Sequence, residues 1–362
     1  MPTHVIGLGT ATPAGRLTQH EAVDHAAARC CVDGRQRRTL GRVYRQAQVQ
    51  QRASVLTAAD DRHGLARFYP SPNGRGPASP TTGQRMAEYA RHAGALAHAA
   101  GAAALADAGV EPGAVGQLVT ASCTGFDSPG LDIELIASLG LPGDVGRTHI
   151  GFMGCHAAIN ALRVADALAR QRPGDAVLLC TAELCSLHMQ YGFKRDHIVA
   201  NALFGDGSGA MVLRAGSEGR ASTWRVVDTR STLVPQTRQA MGWRIGDHGF
   251  EMTLSAEVPA LIEAHLPEVV EGMLRRHGLG VSEVGSWAIH PGGPRVLDAV
   301  QRCLGLGPGG AAASRRVLSE RGNMSSASVL FILDELRRAD APRPTVMLAL
   351  GPGLSIEAAL LG

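Results

Sequence analysis

Short apolar runs with the composition of β-strands alternate along this chain with longer Ala- and Leu-rich runs typical of helices. The strand-like runs are Val5–Gly9, Leu118–Ser122, Ala176–Cys180, Ala210–Leu213, Trp224–Asp228, Trp287–His290 and Val346–Leu350. This alternation predicts an α/β protein whose sheets are buried between layers of helices. The 362 residues are enough for one large domain or two medium ones.

A cysteine stands where one strand-like run gives way to a helical run. Cys155 lies in Gly151-Phe152-Met153-Gly154-Cys155-His156, between an apolar stretch that starts at Arg147 and a helical stretch over 159–170. At a helix start, free backbone N–H groups and the helix dipole favour the thiolate, the reactive form of cysteine. Because free cysteine is also among the most buried residue types, the position alone favours a structural role.

Two other polar side chains occupy similar junctions far away in the sequence. His290 ends an apolar run and is followed by Pro291-Gly292-Gly293, which predicts a position at the mouth of a strand. Asn323 follows a glycine and precedes the apolar stretch through Leu336, which is typical of a helix N-cap. Each residue alone is commonly structural. Together with Cys155 they supply a nucleophile, an imidazole and an amide donor, the set required for covalent acyl transfer.

Composition argues against several other classes of protein. The net charge of +3 is small and dispersed, so nucleic acid is not an expected partner. Lys194 is the only lysine and lies in a polar stretch, which disfavours Schiff-base chemistry and leaves phosphate binding to arginines and backbone amides. No sequence motif predicts a metal site, and no apolar run reaches the ~18–20 residues of a membrane span. Seven cysteines without framework spacing, and no recognisable secretory signal, predict a cytoplasmic protein.

Six motifs in a fixed order connect the chain to a known family. They are Ser122–Gly130, the Cys155 run, Asn201–Gly207, the His290 turn, the loop Gly322-Asn323-Met324-Ser325-Ser326, and Leu350–Gly353. With these motifs the chain closely resembles the type III polyketide synthases, the chalcone synthase family, within the thiolase-like superfamily. The resemblance runs from about residue 4 to the C-terminus, and the Gly-Asn-Met-Ser-Ser loop is highly specific to this family.

The resemblance implies a fold and a division of the chain. The expected fold is a thiolase-like, five-layered αβαβα sandwich of two similar halves. Residues 1–220 would form the N-terminal half with the nucleophile Cys155, and residues 221–362 the C-terminal half with His290 and Asn323. The change of half is expected near 217–222, which is polar and contains glycine.

The resemblance also implies a mechanism. Cys155 would attack an acyl-CoA and hold the starter, paired with His290 as thiolate and imidazolium. His290 and Asn323 would donate hydrogen bonds to the malonyl-CoA carbonyl and stabilise the enolate left when CO2 departs. The enolate would attack the acyl group on Cys155, and repeated cycles would end in cyclisation. Phe204 would orient the substrate. No permanently bound cofactor is implied, only malonyl-CoA and an acyl-CoA as substrates.

Further residues are implied to bind substrate. The pocket would be lined by Cys123, Thr124, Ser128, Glu183, Cys185, His188, Met252, Ser325, Gly351, Pro352 and Gly353. Arg45 and Arg52, in an arginine-rich segment expected to be helical over 14–53, would bind CoA phosphates, although a solvated helical face also explains such arginines. Ser128 and Met252 replace bulkier residues of the plant enzymes, which leaves room for a fatty or otherwise different starter.

Assembly and two alternative functions complete the expectations. The resemblance implies a twofold homodimer in which Ser128 reaches the partner's cavity, with a cis peptide bond before Pro129. One alternative is an enzyme like β-ketoacyl-carrier-protein synthase III, which performs one condensation with the same three residue types. The other is a non-catalytic thiolase-fold binding protein, against which the complete set of Cys155, His290 and Asn323 argues. The starter, the number of condensations and the ring type stay open.

Overall fold

The computed structural model describes residues 1–57, 64–72, 79–216 and 224–362. The predicted change of half at 217–222 therefore falls outside the described residues, and the division of the chain into 1–220 and 221–362 stays a prediction.

Strands occur throughout the described residues. They are β1 (Thr3–Ala11), β2 (Arg16–Thr18), β3 (Gln51–Ala53), β4 (Val115–Ser122), β5 (Gly146–Gly151), β6 (Ala176–Leu184), β7 (Asp206–Ala215), β8 (Trp224–Leu233), β9 (Met241–Gly246), β10 (Gly249–Leu254), β11 (Ser286–Ile289), β12 (Thr345–Gly351) and β13 (Ser355–Leu361). Every strand-like run of the sequence lies in or overlaps one of these elements.

Helices alternate with the strands. They are α1 (Gln19–Cys30), α2 (Gly34–Gln46), α3 (Gly64–Phe68), α4 (Thr82–Ala108), α5 (Leu131–Leu139), α6 (Ala157–Gln171), α7 (Arg195–Leu203), α8 (Val258–Arg275), α9 (Pro294–Cys303), α10 (Ala312–Arg321) and α11 (Ser328–Arg338). The arginine-rich segment over 14–53 is mostly helical, as predicted, but its two ends pair as the short strands β2 and β3.

The large sheet is continuous across both halves of the chain. Within the described residues it has nine strands in the order β11-β12-β13-β8-β1-β7-β6-β4-β5. Strands β1 and β4 to β7 form one part, and β8 with β11 to β13 the other. The two parts meet at β1 and β8, where only Thr3, His4 and Val5 pair with Val226, Arg225 and Trp224.

Helices cover both faces of each part of the sheet. Helix α4 packs on β1, β6 and β7, and α8 packs on β8 and β13, so these two helices form the outer layers. Helices α6 and α11 each contact strands of both parts and lie between them. The resulting order of helix, sheet, helix, sheet, helix confirms the predicted five-layered sandwich.

Burial explains why the central helices take this position. Along α6, Ala157, Ala158, Ile159, Ala161 and Leu162 are fully buried, so both faces of its first turns contact protein. The small alanine side chains let α6 approach the sheet on either side. A helix that is apolar all round is stable only when it is enclosed in this way. This packing sets the start of α6, and with it Cys155, at the centre of the molecule.

Candidate active site

Cys155 lies two residues before the first residue of α6, at the carboxyl end of β5. The turn that holds it has left-handed backbone at Phe152 (φ 59°) and Gly154 (φ 80°). A side chain at Gly154 would meet the ring of Pro352, with its Cβ only 2.7 Å from Cδ. A glycine is therefore required immediately before the cysteine, both for the backbone conformation and for the close approach of the Pro352 loop.

Asn323 is positioned by backbone pairing with the segment that carries Phe204. The Asn323 N–H donates to the Leu203 carbonyl at 2.8 Å, and the Gly205 N–H donates to the Asn323 carbonyl at 3.0 Å. The Asn323 Oδ1 accepts from the Ser325 N–H at 2.8 Å. Asn323 thus lies one residue before Met324, the N-cap of a short 3-10 turn that leads into α11, and so falls close to the N-cap position that the sequence predicts.

Cys155 and Asn323 are brought close together. Burial raises the pKa of the Cys155 thiol most, and the side chains of Ser325 and Asn323 act in the opposite direction through hydrogen bonding, which requires both to lie near the sulfur. The Ser325 hydroxyl also lies 2.9 Å from the sulfur of Cys123. Residues separated by almost 170 positions in sequence therefore form one polar cluster around the sulfur of Cys155.

A buried carboxylate supports this cluster. Glu183, at the end of β6, accepts hydrogen bonds from the Cys123 N–H at 3.1 Å, from the Thr124 hydroxyl at 2.8 Å and from the Ser326 hydroxyl. Glu183 is completely buried, and burial raises its pKa although these hydrogen bonds act in the opposite direction. It ties the end of β4 to the loop that carries Ser325.

His290 follows β11 and is 1% exposed. The backbone N–H of His290 donates to the Leu348 carbonyl at 2.7 Å, which extends the pairing of β11 with β12. Both ring nitrogens are buried, and neither has a hydrogen-bond partner among the described residues. The ring interacts electrostatically with His156, the residue next to Cys155. A buried imidazole without partners is costly, and it is available to a proton or a carbonyl oxygen that enters the site.

Enclosure opposes the charged form of the nucleophile. Burial raises the pKa of Cys155 to about 11, and the negative charge of Glu183 contributes, although hydrogen bonding by Ser325 and Asn323 opposes the rise. Burial lowers the pKa of His290 to about 3. Each charge is therefore disfavoured when it stands alone, and a thiolate at Cys155 needs a nearby positive charge to be stable. The thiolate–imidazolium pair of Cys155 and His290 stays a prediction.

Aromatic rings form the wall of the site beside Phe204. The Trp243 ring packs edge-on against Phe204, with centroids 5.8 Å apart, and its indole N–H donates to the Cys123 carbonyl at 2.8 Å. His188 stacks on Phe250 at 4.2 Å. Its Nε2 lies 2.7 Å from the Thr124 carbonyl and its Nδ1 accepts from the Phe250 N–H at 3.0 Å, so this imidazole is fully engaged in the wall.

A small cavity of about 50 Å³ adjoins Phe204 and Cys185. Most of its lining is apolar, and Tyr44 and Arg52 are also among the residues that line it. Burial raises the pKa of Cys185 well above its usual value, and Glu183 adds to this effect. Cys185 is therefore a neutral, space-filling side chain in the wall rather than a second thiolate.

Two family models together match almost the whole chain. The N-terminal domain of chalcone and stilbene synthases matches residues 2–217, and their C-terminal domain matches residues 225–362. The chain belongs to the chalcone and stilbene synthase family. The resemblance drawn from the sequence motifs is thereby confirmed, and the protein is a type III polyketide synthase.

Individual relatives agree with this assignment. A 1,3,6,8-tetrahydroxynaphthalene synthase from Streptomyces peucetius subsp. caesius is 36% identical over 99% of this chain and 93% of the relative. The alpha-pyrone synthesis polyketide synthase-like Pks18 of Mycobacterium tuberculosis is 33% identical over 98% of this chain and 89% of its own length. The crystal structure of PKS-I from the brown alga Ectocarpus siliculosus superposes with a TM-score of 0.93, at 31% identity, covering 99% of this chain and 98% of that one.

The residues expected to line the synthase's pocket fall into two groups. Cys123, Thr124, Glu183 and Ser325 belong to the polar cluster at Cys155, and Cys185, His188 and Met252 belong to the wall beside Phe204. Ser128 is instead exposed to solvent in the single chain. The bond between Ser128 and Pro129 is cis, as predicted.

The loop of Gly351, Pro352 and Gly353, expected to line the pocket, lies against the turn that carries Cys155. A side chain at Gly351 would overlap the His156 ring, and Pro352 contacts Gly154. Gly353 lies beside Leu233 and Ser355. Through Gly351 and Pro352, this loop therefore packs against the turn that carries Cys155 and helps to fix the position of the nucleophile.

The two arginines expected to bind CoA phosphates differ. Arg45 is exposed at the end of α2. Arg52 is 4% exposed, and its guanidinium donates to the carbonyls of Asn201, Ala202 and Phe204 at the end of α7. The expectation for Arg52 is therefore wrong, because a side chain enclosed and bonded in this way is not available to a phosphate. It caps α7 and fixes the backbone at Phe204.

Sequence analysis missed Trp243 and His156. Trp243 lies on the hairpin of β9 and β10, directly opposite Met252, and the turn residues Gly246-Asp247-His248-Gly249 were the available signal. His156 follows Cys155 and is 2% exposed; a histidine at the start of a buried Ala-rich helix was its signal. Among the described residues, no group of His, Cys, Asp or Glu could hold a metal ion, and no helix is long and apolar enough to cross a membrane.

Proposed function

We propose that this synthase extends an acyl group held on Cys155 by iterative decarboxylative condensation with malonyl-CoA, and then releases a cyclised product. The observations that carry the proposal are the approach of the Asn323 and Ser325 side chains to the Cys155 thiol and the buried His290, whose ring nitrogens have no partner among the described residues. This arrangement combines a nucleophile, an acceptor for its proton and an amide donor for a developing oxyanion.

In the loading step, the Cys155 thiol gives its proton to His290 as its sulfur attacks the thioester carbonyl of an acyl-CoA. A new C–S bond forms at Cys155, the C–S bond to CoA breaks, and the CoA thiolate takes the proton from the His290 imidazolium. The proton transfer creates thiolate and imidazolium together, so the two charges stabilise each other in a site where each alone is disfavoured.

In the extension step, the C–C bond to the malonyl carboxylate breaks and CO2 leaves. Its electron pair becomes an enolate, whose oxygen accepts hydrogen bonds from Asn323 and from a ring N–H of neutral His290. The enolate carbon attacks the acyl carbon on Cys155, the bond to the Cys155 sulfur breaks, and the released thiolate takes up one proton from solvent before the next loading step. Decarboxylation generates the nucleophile, so no carboxylate base is required, which agrees with the structural role of Glu183.

A short starter is proposed rather than the fatty one for which the sequence left room. Met252, which stands where plant enzymes carry the larger phenylalanine, is paired across the hairpin with Trp243, whose ring packs against Phe204. The indole is fixed by its hydrogen bond to Cys123, so the large Trp243 side chain offsets the smaller size of Met252 in this wall.

The proposed assembly is a twofold homodimer. Exposed apolar side chains surround the loop at Ser128, with Phe126 at 41%, Met153 at 40% and Ile133 at 39% exposure. Phe126 also contacts the Phe152 ring at 5.5 Å, next to the turn of Cys155. Such a group of exposed apolar residues is typical of an interaction surface, and burial by a second copy would bring Ser128 to the partner. The reducing cytosol is the proposed location, because the Cys155 thiol must stay free.

Product analysis tests this function. The protein is incubated with malonyl-CoA and acyl-CoAs of increasing length, and the products are identified by mass spectrometry. We expect products that contain two or more malonyl-derived units, formed best from short starters. A product with one added unit, formed only with an acyl carrier protein, would support the synthase III-like alternative. Absence of any condensation in the correctly folded protein would support a non-catalytic role.

A further inference from the structure

Exposed arginines form a row along the outward side of α2. They lie three or four residues apart and are Arg35, Arg38, Arg42 and Arg45. Side chains with this spacing share one side of a helix, and the row extends for about 15 Å. Leu40 and Tyr44 are buried on the opposite side of α2. This row, the arginine stripe, therefore faces solvent with its four charges side by side.

Nearby acidic residues leave the arginine stripe unneutralised. Asp24 forms its ion pair with Arg37, which lies on another side of α2. Asp33 accepts a hydrogen bond from the Gln36 N–H and caps the first turn. In the described part of the chain, no ion pair joins an acidic side chain to any arginine of the stripe. Adjacent positive charges repel one another, so an anionic partner is attracted to this side of α2.

The start of α7 extends the same surface. Lys194 and Arg195 are exposed there, and α7 packs on both α1 and α2. The Gly192 N–H donates to a carbonyl in the last turn of α1 at 3.3 Å, which holds the loop before α7 against that helix. Phe193 in this loop is 37% exposed, and Val32, between α1 and α2, is 88% exposed. The structure thus gathers six exposed cations beside two apolar side chains in a chain whose net charge is only +3, a concentration that the sequence did not show.

The buried side of α2 decides which class of anionic partner fits. Leu40 and Tyr44 form the apolar side of the helix and are enclosed, so α2 cannot insert that side into a bilayer as an interfacial helix does. Tyr44 also lines the cavity beside Phe204, which places the arginine stripe about one helix diameter, ~10–12 Å, outside the wall of the active site. Carboxylates on one side of a partner helix have the same three- and four-residue spacing, and guanidinium groups bind carboxylates through paired hydrogen bonds.

We propose that the arginine stripe docks an acidic helix of a carrier protein, which delivers the starter to Cys155 as a thioester. The proposal rests on the proposed function and names the donor of its starter. In the transfer, a C–S bond to Cys155 forms, the C–S bond to the carrier's phosphopantetheine breaks, and the carrier sulfur takes up the proton that leaves Cys155. Malonyl-CoA stays the source of the extension units, so several condensations follow each loading.

Loading of Cys155 by a charged carrier tests the proposal. A bacterial acyl carrier protein that bears a butyryl group is mixed with the protein, and the acyl-enzyme is followed by mass spectrometry over a range of carrier concentrations. The double variant Arg35→Glu and Arg38→Glu reverses two charges of the stripe, and circular dichroism establishes that it is folded. We expect it to need an at least about 10-fold higher carrier concentration for half-maximal loading, with loading from butyryl-CoA unchanged.

Matched measurements separate carrier docking from the other roles of a basic surface. The double variant Arg172→Glu and Arg238→Glu makes the same charge change at exposed sites elsewhere and should load like the wild type; an equal loss here would overturn the proposal. Equal losses with the carrier and with butyryl-CoA would assign the arginine stripe to CoA phosphates and also overturn it. Unchanged carrier loading, with stripe-dependent binding to phosphatidylserine vesicles, would assign it to a lipid surface instead. Stripe-dependent loading without polyketide formation from malonyl-CoA would contradict the proposed function alone.

Discussion

Replacement of Arg52 by alanine tests whether this arginine supports the fold or binds CoA. The guanidinium donates to the carbonyls of Asn201 and Phe204 at 3.0 and 3.1 Å, to that of Ala202 at 2.8 Å, and to the Gln19 side chain. All these bonds are lost in Arg52→Ala. Of the three carbonyls at the end of α7, only that of Ala202 keeps another donor, the Gln19 amide at 3.5 Å.

The expected loss of stability follows from these contacts. A buried carbonyl left without a partner costs about 1–3 kcal/mol. The carbonyls of Asn201 and Phe204 each face this cost and that of Ala202 faces part of it, while water entering the adjoining cavity offsets some of the loss. We therefore expect Arg52→Ala to lower the free energy of unfolding by about 3–5 kcal/mol. Arg52→Lys keeps the positive charge, although a lysine has fewer and differently placed donors. Its free energy of unfolding should therefore fall by less than that of Arg52→Ala.

Urea unfolding followed by tryptophan fluorescence measures the loss, with Arg45→Ala as the control. Because Arg45 is exposed, its removal should change stability by no more than about 0.5 kcal/mol. The rate of condensation should fall in Arg52→Ala, because the backbone at Phe204 and its pairing with Asn323 are no longer held. An Arg52→Ala protein with wild-type stability and a selectively raised KM for malonyl-CoA would refute this reasoning and restore the CoA-binding role.

Four further substitutions give distinct expected outcomes. Asn323→Ala should slow malonyl-CoA decarboxylation by about 10²- to 10³-fold, as for loss of one oxyanion donor, measured by CO2 release; an unchanged rate would remove Asn323 from the mechanism. Trp243→Ala should extend the accepted starters to longer acyl chains, and an unchanged starter profile by mass spectrometry would contradict the pocket assignment. Ser128→Met should shorten the accepted chain without weakening the dimer, whereas a monomeric wild type in light scattering would exclude this cross-subunit role. Burial raises the pKa of Asp206 to about 6, so the folded protein binds this proton more tightly than the unfolded chain does, and the resulting stabilisation is greatest below about pH 4 and is lost as pH rises through 6. Asp206→Asn should therefore flatten the dependence of the free energy of unfolding on pH between these values. An Asp206→Asn protein with the wild-type pH dependence would refute this prediction.

Local sequence signals were sufficient for the layers, and they marked three candidate catalytic residues. Alternating apolar runs predicted β1, β4, β6, β7, β8, β11 and β12, because buried strands need continuous apolar side chains. Cys155 and His290 follow such runs and Asn323 precedes one, each beside a glycine or a proline. A common site for all three is implied only by the motif order of the family, since residues so far apart meet only through tertiary packing.

What the sequence did not predict depends on the three-dimensional surroundings of each side chain. The helix start at Cys155 favours a thiolate, whereas enclosure of the sulfur and the charge of Glu183 raise the pKa of the thiol, and neither effect can be read from the sequence. Arg52 in an arginine-rich segment had the same sequence signal as the exposed Arg45, and only packing against α7 separates them. Trp243 lies on a short hairpin that is not part of the large sheet, so its approach to Phe204 had no periodic signal.

Identification of the acyl-enzyme by mass spectrometry tests the central claim most directly. The wild-type protein is incubated with a short acyl-CoA in the absence of malonyl-CoA, quenched, digested and mapped for the acyl adduct. The account predicts the adduct on the peptide that contains Cys155, its absence in Cys155→Ala, and its disappearance when malonyl-CoA is added as products form. An adduct on Cys123 or Cys185 instead, or full polyketide formation by Cys155→Ala, would contradict covalent catalysis at Cys155.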